Sequence, residues 1–259
     1  MKVDVSVPAS WADLTQTQLR TLFKVMVAVQ EANQNVPFRD EDDFAAQTGA
    51  QVATLVFFEW SGLEVICPYA DGYLVRHGED EFKLSAEIIA AAIAPLSWSK
   101  ELPPVPVRLE SVDGAHAVEA DISEGLSFDS WLACENNWQA YQLSQDSQWL
   151  HKMAEILYDK EGIRLDPAET LSIFYWWAGV KTMVSEMFPY FFKPSGDGES
   201  SEVTIDSMRR NVDAQIRALT KGDITKEKEI LSMDAIRALT ELDAQAREYD
   251  ELNRKYPRK

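Results

Sequence analysis

The chain has 259 residues, 46% hydrophobic and 26% charged, which is an ordinary globular composition with enough length for a substantial core. Its 43 acidic residues against 25 Lys and Arg give a net charge of -18, a field that repels DNA, RNA and anionic lipid. Only two cysteines occur, Cys67 and Cys134, which argues against a disulfide scaffold and fits two small buried hydrophobes.

The first segment, Val3–Val7, alternates apolar and polar residues as a short strand does, and Pro8 stops it. Thr15 with Gln18 three residues on is a capping-box signature. Leu19, Leu22, Phe23, Met26 and Val27 follow at helical spacing, with Trp11 placed to pack near the helix start. An acidic run, Asp40–Asp43, precedes a helix expected over Asp42–Trp60, where the macrodipole favours carboxylates.

Leu63–Cys67 reads as a strand. Tyr73–His77 and Glu81–Ser85 flank Gly78-Glu79-Asp80 as a hairpin with a three-residue loop. A short helix starts at Ser85 and ends before Pro95. Residues 99–126, with Leu102-Pro103-Pro104-Val105-Pro106, read as an extended connecting arm. Within it, Val107–Leu109 and Ala117–Ala120 are expected to pair around Asp113-Gly114.

The back half is helical. One helix is expected from Ser127 to Asp146 and a second up to Tyr158. A third is opened by Asp166 as cap and Pro167 at the first helical position, and ended by Pro189. Its apolar run, Leu171–Phe192, is interrupted by Lys181, Glu186 and Pro189, so it predicts a buried core helix and not a membrane span. Residues 193–202 have a linker composition. Beyond them, Met208, Val212, Ile216 and Leu219 mark one helix and Gly222 breaks it. Ala235, Leu239, Leu242, Ala246, Tyr249 and Tyr256 mark another, near heptad spacing. Ile216–Thr220 recurs as Ile236–Thr240, a single pentapeptide pair.

The expected fold class is therefore mainly α with a small β portion. The expected organisation is an α+β module over 1–98, the arm over 99–126, an aromatic-rich helical module over 127–192, the linker over 193–202, and a charged helical hairpin or arm over 203–259. Acidity belongs to residues 1–200, with 31 Asp and Glu against 13 Lys and Arg, whereas 201–259 hold 12 of each. A charge-balanced helical segment reads as solvent-facing or partner-facing. Residues Met1–Ser10 lack a basic region followed by an apolar run, so a cytoplasmic protein is expected.

Motifs for chemistry do not emerge. The sequence has no phosphate-binding glycine loop, dinucleotide fingerprint, Gly-x-Ser-x-Gly elbow, His-Glu-x-x-His or Cys-x-x-Cys. His77, His116 and His151 are scattered. Asp71 and Glu79–Glu81 do not follow a calcium-loop pattern. No cofactor, metal or catalytic residue is assigned. What stands out is the aromatic load: Trp131, Trp138, Trp149, Trp176 and Trp177 all fall in the back half. Trp131 and Trp138, seven apart, share a helix face that forms either core or an anchor surface for a partner.

The opening Val7-Pro8-Ala9-Ser10-Trp11-Ala12-Asp13-Leu14-Thr15, with Gln18, resembles the start of proteins encoded among the tail genes of tailed phages and prophages. The tail from Asp213–Asp223 to Asp243–Tyr249 resembles the end of such proteins. The resemblance lies at the two ends of the chain, over about 50 residues. The resemblance implies a non-enzymatic role in tail assembly, foremost that of a chaperone holding the tape-measure or tail-tube protein. A structural subunit of the tail or connector is the alternative, and an enzyme with an unrecognised site around Cys134 and His151 a further one. The expected partners are other proteins, phage tail components, with no nucleic acid and no membrane. The expected partner-binding residues are Leu239, Leu242, Tyr249 and Tyr256 on the last helix, with Trp131 and Trp138.

Overall fold

A computed structural model describes residues 7–37, 40–193 and 205–256. The protein is mainly α-helical with a small β portion. It divides into two compact units: Met1–Pro103 with Asp166–Ser172, and Pro104–Leu165 with Ile173–Lys259. The strand expected over Val3–Val7 and the linker over 193–202 lie, but for their edge residues Val7 and Lys193, outside the described residues.

The first unit opens with a 3-10 turn, Trp11–Asp13, and α1, Gln16–Asn33. The capping box is formed: Gln18 N–H donates to Thr15 Oγ1 at 3.2 Å, and Thr15 N–H donates to Gln18 Oε1 at 3.0 Å. Trp11 is buried beside Phe23 and meets Trp98 edge-on at 5.3 Å. The next helix, α2, spans Glu41–Ser61. Asp40 caps it, accepting from Asp43 N–H, and Gly62 ends it at φ +68°. The two helices pack on each other, and Asn33 Nδ2 donates to Thr48 Oγ1 and Gln51 Oε1.

Three antiparallel strands follow in the order β1 (Glu64–Tyr69), β2 (Gly72–His77), β3 (Asp80–Ser85). The β2–β3 turn is tighter than the sequence implied. His77 pairs with Asp80, leaving Gly78-Glu79 as a two-residue loop with Gly78 at φ +63°. One face carries the cross-strand row Glu64, Arg76, Glu81, bound through Arg76 at 3.1 and 2.7 Å. The other face carries Val75, fully buried, and Tyr73, which meets Phe58 edge-on. Ser85 caps α3 (Ala86–Ile93), and a 3-10 segment, Ala94–Lys100, continues through Pro95.

In the second unit the hairpin around Asp113-Gly114 is shorter than expected: Ser111–Val112 (β4) pairs with Ala115–His116 (β5), and Val107–Leu109 is not strand. Nor are residues 104–126 a bare arm. Val107, Leu109, Val112, Ile122 and Leu126 are buried. This stretch hands its carbonyls to helix side chains. Tyr158 Oη donates to Leu109 O at 2.8 Å, and Trp176 Nε1 to Ala120 O at 2.7 Å. Asp113 binds Lys160 and Arg164. The Lys160 hydrogen bond, reinforced by those from Arg164, holds its carboxyl far below the usual range.

The helices of this unit are α4 (Phe128–Ser144), α5 (Gln148–Leu157), α6 (Pro167–Met187, whose first turns belong to the first unit), α7 (Ile205–Thr220), α8 (Glu227–Leu231) and α9 (Ala235–Lys255). Asp166 and Glu169 cap α6 reciprocally at 2.8 and 3.1 Å. Gly222 ends α7 as expected, at φ +81°. A 3-10 turn and α8 then intervene before α9, which the sequence pattern had left out.

Candidate interaction surface on the last helix

One apolar stripe runs along α9 at three- and four-residue steps, as an amphipathic helix requires. Its first half is core. Ala235, Ala238, Leu239 and Leu242 are buried, with α9 packed against α4 and α7. The helix start is pinned by a short antiparallel bridge: Phe128 N–H donates to Met233 O at 2.8 Å and Ala235 N–H to Leu126 O at 3.0 Å. A second flank grips the chain leaving α6. Asp243 Oδ1 accepts from Tyr190 N–H (2.8 Å) and Phe191 N–H (3.0 Å), and Asp250, one heptad on, pairs with Lys193 at 2.7 Å. The Lys193 hydrogen bond holds the Asp250 carboxyl below its ordinary value.

Among the described residues, nothing covers the second half of the stripe in this way. Tyr249, Leu252 and Tyr256 are 57%, 58% and 71% exposed. The helix itself persists to the end, since Tyr256 N–H still donates to Leu252 O at 2.9 Å. The row is therefore held in register by an anchored helix while its apolar faces meet solvent.

Four of the six residues expected to bind a partner behave otherwise. Leu239 and Leu242 are core residues, because the heptad seam closes against α4 and α7 and cannot open without exposing that core. Trp131 is buried against Trp177 at 5.1 Å. Trp138 is half-buried and stacks on Phe174 at 5.2 Å. The face these two tryptophans share is thus turned to α6. Tyr249 and Tyr256 do lie on an accessible surface, and Leu252 joins them. It was legible in the spacing 249, 252, 256 but is masked by the charged residues around it.

Around Trp177 the geometry is structural: its Nε1 donates to Glu135 Oε1 at 2.9 Å, and Lys181 pairs with Glu135 Oε2 at 2.6 Å. Cys134 lies fully buried on α4. Burial pushes its thiol well above the ordinary value, the reverse of what a nucleophile needs. His151 uses Nδ1 on Ser147 O at 2.9 Å. Among the described residues, no cluster of three or more His, Cys, Asp or Glu is placed to hold a metal ion, and no helix is long and apolar enough to cross a membrane. No family model matches the chain, and neither a curated protein nor a solved structure is significantly similar to it.

Proposed function

We propose that this protein is a non-enzymatic protein-binding factor of phage or prophage tail assembly, a chaperone that holds a tape-measure or tail-tube client. The observation that carries the reading is the α9 stripe, seated in the core as far as Leu242 and presented to solvent at Tyr249, Leu252 and Tyr256. Tyrosines on a rigid helix offer large contact area at little entropic cost, with a hydroxyl at the rim for a hydrogen bond, which is why they recur as interface anchors. The likeness of the opening and closing stretches to tail-gene products supplies the class of client.

The test is recovery of the tagged full-length chain, and of a Tyr249→Ser/Tyr256→Ser variant, from cells co-expressing the neighbouring tail genes. We expect the tape-measure or tube protein to come down with the wild type and to fall about tenfold or more with the variant, matching the loss of two aromatic anchors. We also expect the chain to be missing from finished particles. Its presence in purified particles would make it a structural subunit, and recovery of no tail protein would sink the proposal.

A further inference from the structure

The turn between α7 and α9 presents a stripe that is complementary to itself. A 3-10 turn, Ile224–Lys226, runs directly into α8, so that residues 224–231 form one short helical rod. Ile224, Glu227, Lys228 and Leu231 follow one another at steps of three, one and three, which places them on one face. All four line a single hollow of about 670 Å³, with Ser127 and Asp129 at the start of α4. The rod is fixed in place. Asp223 Oδ1 accepts from Thr225 N–H at 3.1 Å and from the Thr225 hydroxyl at 2.6 Å, Lys226 N–H donates to Asp223 O at 3.1 Å, and Ile230, off this face, is buried. Ile224, by contrast, is 79% exposed, more than any other large apolar side chain among the described residues. Lys226 is turned to Asp223 at 3.9 Å, whereas among the described residues the Glu227 and Lys228 side chains have no ion-pair partner.

The stripe has the same character in both directions. Turned end for end on itself, Ile-x-x-Glu-Lys-x-x-Leu sets Ile224 against Leu231 and Glu227 against Lys228, and then Lys228 against Glu227 and Leu231 against Ile224. That is the condition for an isologous two-fold contact, in which residue i meets j and j meets i. We infer that two copies of the chain pair by laying this rod antiparallel on its counterpart, with Ile224 of each copy in the hollow over Leu231 of the other. A basic partner would face Lys228 and an acidic one Glu227, whereas a second copy satisfies both. The net charge of -18 does not oppose contact at this place. The excess acidity lies in residues 1–200, while residues 201–259 hold 12 acidic and 12 basic side chains, and at about 0.15 M salt charges beyond ~8 Å are screened. A rod of this length covers less than the roughly 800 Å² per partner of a standard interface, so the pairing is weak, with a Kd on the order of 10–100 μM. It uses none of the α9 residues assigned to the client and does not rest on the client role.

Sedimentation velocity of the full-length protein between ~2 and ~300 μM tests it. The weight-average mass rises about 1.5-fold or more over that range and does not pass twice the monomer value, because a two-fold contact closes on itself. Ile224→Asp, at a position already open to water, keeps its thermal melt and abolishes the rise. Glu227→Lys and Lys228→Glu each set like charges face to face twice and weaken association about tenfold or more. Combined in one chain, Glu227→Lys/Lys228→Glu restores the complementary order and returns association to within about threefold of the wild type. The two single variants, mixed, associate with each other more tightly than either does with itself. Should Ile224→Asp fail to fold, the charge exchange carries the test alone. A wild type that stays monomeric throughout, single variants that associate like the wild type, an exchange that restores nothing, or growth beyond the dimer would each overturn the inference. None of these results bears on recovery of a tail client.

Discussion

At the scale of single residues, two helical glycines with opposite surroundings show what decides packing here. A Cβ on Gly179 in α6 would lie 2.6 Å from Val105 O and 2.9 Å from Pro106 Cα. Backbone cannot rotate aside, so the helix and the 105–106 segment would have to separate. Ala gains about 1 kcal/mol of helix propensity over Gly, but overpacking a close contact costs about 1–3 kcal/mol. Gly179→Ala is therefore expected to lower stability by up to about 2 kcal/mol, read as a lower urea midpoint at unchanged slope. A Cβ on Gly49 in α2 would instead meet the Lys100 side chain, whose Cγ lies at 2.9 Å. That side chain has other rotamers, so Gly49→Ala should be neutral or stabilising by up to about 1 kcal/mol. A loss at Gly49 as large as at Gly179 would mean that backbone contact is not the deciding cause.

At the scale of elements, helix starts were the most legible features, because a cap is a local contract between a side chain and an unpaired N–H three residues on. Thr15 to Gln18, Asp40 to Asp43, Ser85 to Ile88 and Asp166 to Glu169 all make it. The α1 cap allows a measured check. Thr15→Ala removes one side of a reciprocal pair and should cost about 1 kcal/mol, within the roughly 0.5–2 kcal/mol range for such caps. Adding Gln18→Ala should then cost less than it does in the wild type, and full additivity in thermal or chemical melts would show that the two caps act separately. What the sequence concealed was non-local. Residues 104–126 look extended because of their prolines, yet Leu109 and Ala120 owe their places to Tyr158 and Trp176, some fifty residues further on. The hairpin slipped towards its Asp113-Gly114 turn because that two-residue turn, with φ +47° and +75°, sets the register before any strand propensity acts. The stripe of α9 was visible as a period. Which half of it meets the core is a property of α4 and α7, and nothing within α9 distinguishes Leu242 from Leu252.

At the scale of the whole molecule, the decisive question is where the second unit stops being core and becomes surface. Leu219, Ile230, Leu239 and Leu242 are all buried, and the Ser127–Asp234 bridge ties α9 to the start of α4. At about 1.5–3 kcal/mol for each large aliphatic side chain, those four alone contribute between about 6 and 12 kcal/mol. That is comparable with the roughly 5–15 kcal/mol that stabilises a whole domain. A chain ending at Gly198 is therefore expected to lose the cooperative unfolding of its second unit, with Trp131, Trp176 and Trp177 red-shifted in fluorescence as they meet water. A chain ending at Glu248 keeps those four residues and both hydrogen bonds to Asp243. It gives up the Lys193–Asp250 pair and the exposed row, and exposed pairs contribute at most about 1 kcal/mol. It should melt within a few degrees of the full chain. Should the Gly198 truncation instead stay folded with its tryptophans shielded, residues 205–256 would be an independent arm and the buried half of α9 would have to be counted as docking surface after all. If both truncations unfold, the exposed half carries stability that its solvent-facing position does not account for, and assigning it to a partner would lose its physical basis.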